Sequence, residues 1–232
     1  MKTIIIATPL TLALVLGAQA SAAFEAGDIL VRIGATTTDP RESSEEVELN
    51  RSIISLSGGR SGIGLNSNTQ LGANIEYFLT PQWGVELLVA TPFEHEAEGT
   101  GELQGLTIAE FKHLPPTLSL VYHLPRIGRA QPYAGVGLNY TFLFDEEITA
   151  EADAAFAGLG LNDGKLKLDD SFGVAVQLGV DFHIDNHWLV NASVRWIDLE
   201  TDAEIRFAGG NKVTSTIEVD PFVYTLSVGY LF

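Results

Sequence analysis

The chain of 232 residues contains no cysteine, which excludes a disulfide framework and any thiolate metal site. Basic residues are scarce, with 13 Lys and Arg against 30 Asp and Glu and a formal net charge of −17. That balance excludes nucleic acid as a partner, because neutralising phosphates needs a basic surface. Beyond residue 22, no stretch approaches the roughly 20 consecutive apolar residues of a transmembrane helix. Compact calcium-loop spacing of acidic residues is also missing, so no metal site and no cofactor is expected. What is present is unusual for so acidic a chain: 46% hydrophobic residues and a mean hydropathy of +0.17. A lipid-facing apolar band combined with separate charged loops accounts for both.

The first residues read as an address. Met1-Lys2 gives a positive start, Ile4 to Gly17 is nearly all apolar, and Ala18-Gln19-Ala20 and Ala20-Ser21-Ala22 are small-residue cleavage sites. A signal peptide over 1–22, cut near Ser21 to Phe24, and one secreted domain over 23–232 are expected.

The mature chain alternates with period two. Phe222, Tyr224, Leu226, Val228, Tyr230 and Phe232 share one face of the last segment, opposite Thr225, Ser227 and Gly229. Likewise Phe172, Val174, Val176, Leu178, Val180 and Phe182 alternate with Gly173, Ala175, Gln177, Gly179 and Asp181. Eight such segments are expected, at about 27–38, 69–79, 83–98, 117–124, 132–144, 170–183, 187–208 and 212–232. Each can supply the roughly 9–11 tilted residues that cross a bilayer. Short connections at 80–82, 125–131 and 184–186 oppose long polar ones near 39–68, 99–116 and 145–169. This is the pattern of an all-β, eight-stranded antiparallel transmembrane β-barrel with short periplasmic turns and long extracellular loops, placed in a bacterial outer membrane. A soluble lipocalin-like barrel would carry a polar exterior, and here the second face is too small and polar to be one.

Aromatic residues fall in two bands on the lipid-facing parity, as amphipathic rings do at the two interfaces. Tyr77, Trp83, Tyr122, Phe182, Trp188, Tyr230 and Phe232 lie near the short turns; Phe93, Phe142, Phe144, Trp196, Phe222 and Tyr224 lie near the long loops. Acidic residues crowd the long-loop side, including Glu42, Glu45, Glu46, Glu94, Glu96, Glu98, Glu102 and Asp202. They read as a solvated surface, with divalent cations bridging to lipopolysaccharide phosphates.

Inward parity collects Arg32, Glu76, Glu86, Asp181 and Arg195, with His123, Asn139, Gln177 and Asn191. The turn Thr80-Pro81-Gln82 pairs Leu79 with Trp83, which sets Glu76 directly opposite Glu86. Facing like charges repel, so a cation must lie between them or one must be protonated. Arg32 and Arg195 are the candidates for a structural salt-bridge network that fills the lumen. Pro92, placed inside the third segment, cannot donate to the sheet ladder. It reads equally as a lateral seam or as a bulge that turns the strand out of the membrane. The five histidines do not converge with a serine and an acid, so no enzyme is expected.

These residues resemble the OmpW family of small outer-membrane barrels, especially its OprG-type members. The resemblance is carried by Ala26-Gly27-Asp28, Trp83-Gly84-Val85-Glu86-Leu87, Ala90-Thr91-Pro92-Phe93, Leu114-Pro115-Pro116-Thr117-Leu118, Gln131-Pro132-Tyr133-Ala134-Gly135, and Val219-Asp220-Pro221-Phe222. It implies passive uptake of small hydrophobic or amphipathic molecules, with sideways release through the barrel wall. Pro92 would then mark the seam, with Leu88 and Phe78 lining the entry to the path. Partners implied are outer-membrane lipids and lipopolysaccharide, small hydrophobic solutes, and the barrel-assembly machinery through the terminal Phe232. The alternative is a surface-interaction protein that works through its acidic loops.

Overall fold

A computed structural model describes residues 24–41, 43–44, 48–50, 52–53, 62–100 and 104–232. The expected signal peptide over 1–22 lies outside the described residues, as do Glu42, Glu45, Glu46 and Glu102.

The alternating stretches form strands. In chain order the elements are β1 (Ile29–Asp39), β2 (Ser43–Ser44), β3 (Glu48–Leu49), β4 (Ser52–Ile53), β5 (Gly62–Leu65), β6 (Asn68–Phe78), β7 (Trp83–Ala90), β8 (Phe93–Thr100) and β9 (Thr107–Leu114). Then come β10 (Thr117–His123), β11 (Ala130–Ile148), α1 (Ala150–Gly158), β12 (Lys165–Leu168), β13 (Ser171–His183), β14 (Trp188–Ile197), β15 (Glu200–Arg206), β16 (Lys212–Glu218) and β17 (Phe222–Leu231). Eight of them make the wall, in the order β10-β7-β6-β1-β17-β14-β13-β11, all antiparallel, and β10 pairs with β11 to close the cylinder. Closure leaves no open edge, which is what hydrocarbon demands of a spanning sheet. No helix among the described residues is long and apolar enough to cross a membrane, so the crossing is by strands.

Side-chain parity divides two solvents. In β17, Leu226 is 62% exposed while its neighbours Thr225 and Ser227 are 8% and 4% exposed. The outward row of Leu71, Leu118, Val136, Leu138 and Leu178 is likewise exposed, so the apolar face is the outside. Rings cluster near the short turns: Trp83 lies 4.8 Å from Tyr122, and Tyr230 lies 4.9 Å from Trp188 and 4.7 Å from Phe232. Those turns are held locally. The Asp185 carboxylate accepts from the backbone N–H groups of His187 and Trp188, both at 2.8 Å, and these bonds lower its pKa.

Above the wall the sequence expectations need correction. Segment 83–98 is not one strand: β7 ends at Ala90 and β8 starts at Phe93, with Thr91 and Pro92 between them. Pro92 therefore sits at the top of the wall strand, not inside it. This two-residue break switches the inward parity from even in β7 to odd in β8, so Phe93 is buried instead of belonging to the outer aromatic band. The stretch 99–116 contains β9, which pairs with β8 and with the upper part of β11. Within 145–169 lie α1 and β12. Segments 187–208 and 212–232 each split, and β15 and β16 form a second sheet with β12, β3 and β4. Asp220, at positive φ of 38°, and Pro221 interrupt the ladder between β16 and β17.

Candidate functional site

The interior has two levels. The lower is a polar plug. Register sets Glu76 opposite Glu86, and the Arg32 guanidinium lies between them, with Nη1 at 2.9 Å from Glu76 and 3.2 Å from Glu86. Its other side grips Asp181, donating from Nε at 3.0 Å and from Nη2 at 2.6 Å. Arg195 donates to Glu86 at 2.7 Å and to Gln177 at 2.5 Å, and Gln177 donates to Glu86 at 2.9 Å. His123 Nε2 meets Glu76 at 2.7 Å, and Asn191 donates to Asp181 and to the Tyr133 hydroxyl, both at 2.9 Å. Arg32, Glu76, Glu86 and Asp181 are fully buried. Three carboxylates and two guanidiniums in one low-dielectric volume hold only if every charge is hydrogen-bonded. Inward glycines make room: a Cβ on Gly84 would lie 2.2 Å from Glu76 Oε1, and one on Gly179 would lie 2.3 Å from the Tyr133 ring.

Beneath this network Phe24, Leu30, Phe78 and Leu189 form an apolar floor. Phe24 stacks on Phe78 at 4.1 Å and meets His123 edge-on at 5.0 Å. Phe78, paired with Gly84 beside the short turn, thus belongs to the periplasmic floor. It is not brought together with Leu88 and Pro92.

The upper level is an apolar cavity of about 560 Å³. Ile63, Leu65, Ala97, Ile108 and Ala109 line it together with Phe156 of α1, its C-cap Leu159, and Leu166, Ile205 and Val213. Thr38, Thr141 and Pro221 are among its lining residues nearest the wall strands. No Asp, Glu, Lys or Arg is among the described residues of its lining. The acidic side chains of β8 point the other way: Glu94, Glu96 and Glu98 are exposed, while Phe93, His95 and Ala97 are buried. Two imidazoles interrupt the apolar wall. His95 and His113 stack at 4.9 Å, and burial beside His95 lowers the pKa of His113 to about 3. These wall residues escaped the sequence reading. The signal was there in Phe93-Glu94-His95-Glu96-Ala97-Glu98-Gly99, where glutamate occupies every second position and marks the solvent face.

Between the levels, two ladders of the wall come to an end. β6 and β7 pair up to Gly72↔Ala90, and the Thr91 N–H still donates to the Leu71 carbonyl at 2.9 Å. Pro92 then offers no N–H, and β8 turns to pair with β9 and β5. On the other flank, β7 pairs with β10 only as far as Leu88↔Thr117, and Thr117 is preceded by Pro115 and Pro116. Leu88 is buried on the inner face, one inward position above Glu86 and just below this strand end.

The comparisons agree with this architecture. The chain matches the OmpW family over residues 25–232. It is 39% identical over 226 residues to outer membrane protein W of Vibrio cholerae serotype O1, covering 94% of this chain and 96% of that one. The crystal structure of the outer membrane protein OprG from Pseudomonas aeruginosa aligns with a TM-score of 0.79 at 37% identity, covering 91% and 98% of the two chains. The solid-state NMR structure of outer membrane protein AlkL in lipid bilayers aligns with a TM-score of 0.66 at 25% identity, covering 94% and 95%. A closed eight-stranded barrel with an apolar exterior, matched along nearly its whole length to outer-membrane proteins that are not enzymes, places this chain in the outer membrane as a member of the OmpW family.

Proposed function

We propose that this barrel mediates passive uptake of small hydrophobic or amphipathic molecules, received from outside by the upper cavity and released sideways through the wall beside Pro92. The carrying observation is an apolar cavity without charged lining residues above a plug of buried, ion-paired side chains, next to a strand end bordered by prolines.

The energetics favour a side exit. A solute burying about 200 Å² of apolar surface gains about 5 kcal/mol on leaving water. Descent through the plug would forfeit that gain and break buried charge-assisted bonds. Passage from the cavity into bilayer hydrocarbon keeps the solute dry throughout, so the transfer is close to neutral. Leu88 forms the inner lip of this route, and Phe78 stands outside it.

Pro92→Ala restores an N–H and allows the β6–β7 ladder to extend. In vesicles with lipopolysaccharide in the outer leaflet, naphthalene entry through this variant should fall toward that of protein-free vesicles. Unchanged entry would remove the sideways route.

Two further partners belong to this reading. The outward glutamates of β8 suit divalent-cation bridges to lipopolysaccharide phosphates, and the exposed terminal Phe232 suits recognition by the barrel-assembly machinery.

A further inference from the structure

We propose that His113 is the hydrogen-bonding anchor of the upper cavity, and that the cavity therefore prefers neutral apolar molecules carrying a hydroxyl group over bare hydrocarbons and over carboxylates. This inference rests on the uptake reading and names the substrate class of its site.

Three observations converge on His113. It lines the cavity and is only 6% exposed, yet neither ring nitrogen has a hydrogen-bond partner among the described residues. A ligand in the cavity therefore meets an imidazole whose donor and acceptor are not engaged by the protein. His95 differs, since its Nδ1 is held by the Asn66 carbonyl at 2.7 Å.

Secondly, the His113 ring is already engaged in stacking, with Phe93 at 5.1 Å and 18° and with His95 at 4.9 Å and 14°. These two neighbours hold the ring plane, and the polar contact it offers a ligand is at its edge, where the nitrogens are.

Thirdly, the surroundings specify a neutral partner. Burial beside His95 keeps His113 uncharged at neutral pH. On the strands that carry and flank it, Glu94, Glu96 and Glu110 are exposed, Lys112 is engaged by Asp145 and Glu94, and the opposite residue of β11 is Leu143. A carboxylate would enter a cavity without a countercharge, past an acidic rim. A hydroxyl can donate to or accept from the neutral ring in either tautomer.

The test uses the full chain in lipid nanodiscs, with naphthol, naphthalene and naphthoate as probes and empty nanodiscs subtracted. Naphthol should bind about 3- to 10-fold more tightly than naphthalene, the usual worth of one net hydrogen bond, and naphthoate should bind weakest. His113→Phe keeps a ring stacked beside Phe93 and His95 and should bring the naphthol-to-naphthalene ratio to about one. In the unsubstituted chain, the His113 ring resonances should shift with naphthol and not with naphthalene, a readout that does not depend on the variant folding.

A ratio preserved in His113→Phe overturns the anchor. So does a ratio lost instead in Thr38→Val, whose hydroxyl is the buried unpartnered group among the residues lining the wall end of the cavity. Naphthoate binding as tightly as naphthol overturns the neutral-ligand claim. Equal binding of naphthol and naphthalene by the unsubstituted chain ends this inference while the uptake reading stands; binding of neither probe ends both.

Discussion

Below Leu88 the inside of this barrel is a lattice of charges; the cavity above Leu88 is mostly apolar, without an Asp, Glu, Lys or Arg among the described residues of its lining. The two regions are continuous in sequence and share the same inward-facing surface. What separates them is how the strands are closed. In the wall, eight strands fix a cylinder just wide enough to be filled by side chains, and polar groups bond one another across it. Above Ala90 the strands splay into hairpins and a second sheet, the space widens, and apolar residues line an opening they do not fill. The lower region is filled by its own side chains, and the upper one encloses a cavity.

The largest effect tests the plug. Arg32→Met leaves Glu76, Glu86 and Asp181 facing one another without their shared cation. Breaking a buried pair in this way costs about 3–5 kcal/mol, so the urea midpoint of the folded, heat-modifiable band should drop sharply. No cavity-lining substitution of similar size should match it.

Packing sharpens the contrast further. Gly179→Ala drives a methyl into the Tyr133 ring and should cost about 1–3 kcal/mol. Gly158→Ala, at the end of α1 above the cavity, meets nothing within 4 Å and should leave the same midpoint unmoved.

Acid stability separates the regions by pH. The folded pKa of His113 is depressed from 6.5 to about 3, so between those values the unfolded chain binds a proton that the folded chain refuses. Stability from this site is then full above pH 6.5 and declines as pH falls through the window, by at most about 1.4 kcal/mol per pH unit. His113→Phe should flatten the midpoint-versus-pH curve in that range and leave it unchanged above pH 6.5.

The smallest effect concerns the cavity roof. Thr149 Oγ1 accepts from the Ala152 N–H at 3.1 Å and donates to the Thr107 carbonyl, which caps α1 and ties it to β9. Thr149→Ala should cost about 1 kcal/mol, seen as faster amide exchange confined to α1.

How much of this was legible beforehand follows the same division. In the wall, the bilayer enforces strict alternation, so Leu226 outside and Ser227 inside are readable from one sequence. The three-residue turn at 80–82 fixes the register that opposes Glu76 to Glu86. Which cation lies between them depends on curvature around the barrel, which one sequence does not carry. Above the wall no bilayer acts. Pro92 shifts parity by one residue, which makes Phe93 read as a lipid-facing ring when it is buried, and His113 is buried through pairing with β8 on one side and the upper part of β11 on the other. α1 was missed because its nine residues, rich in alanine, lack an apolar stripe of helical spacing.

The most direct measurement is the order in which a fluorescent apolar probe arrives in vesicles carrying lipopolysaccharide outside. One sample has brominated lipids in the inner leaflet; another has iodide in the interior. Sideways release predicts that the barrel accelerates quenching by the lipids first, with interior quenching following later. Interior quenching that leads, or that is accelerated without any lipid phase, would mean the solute passes the plug and would contradict the account.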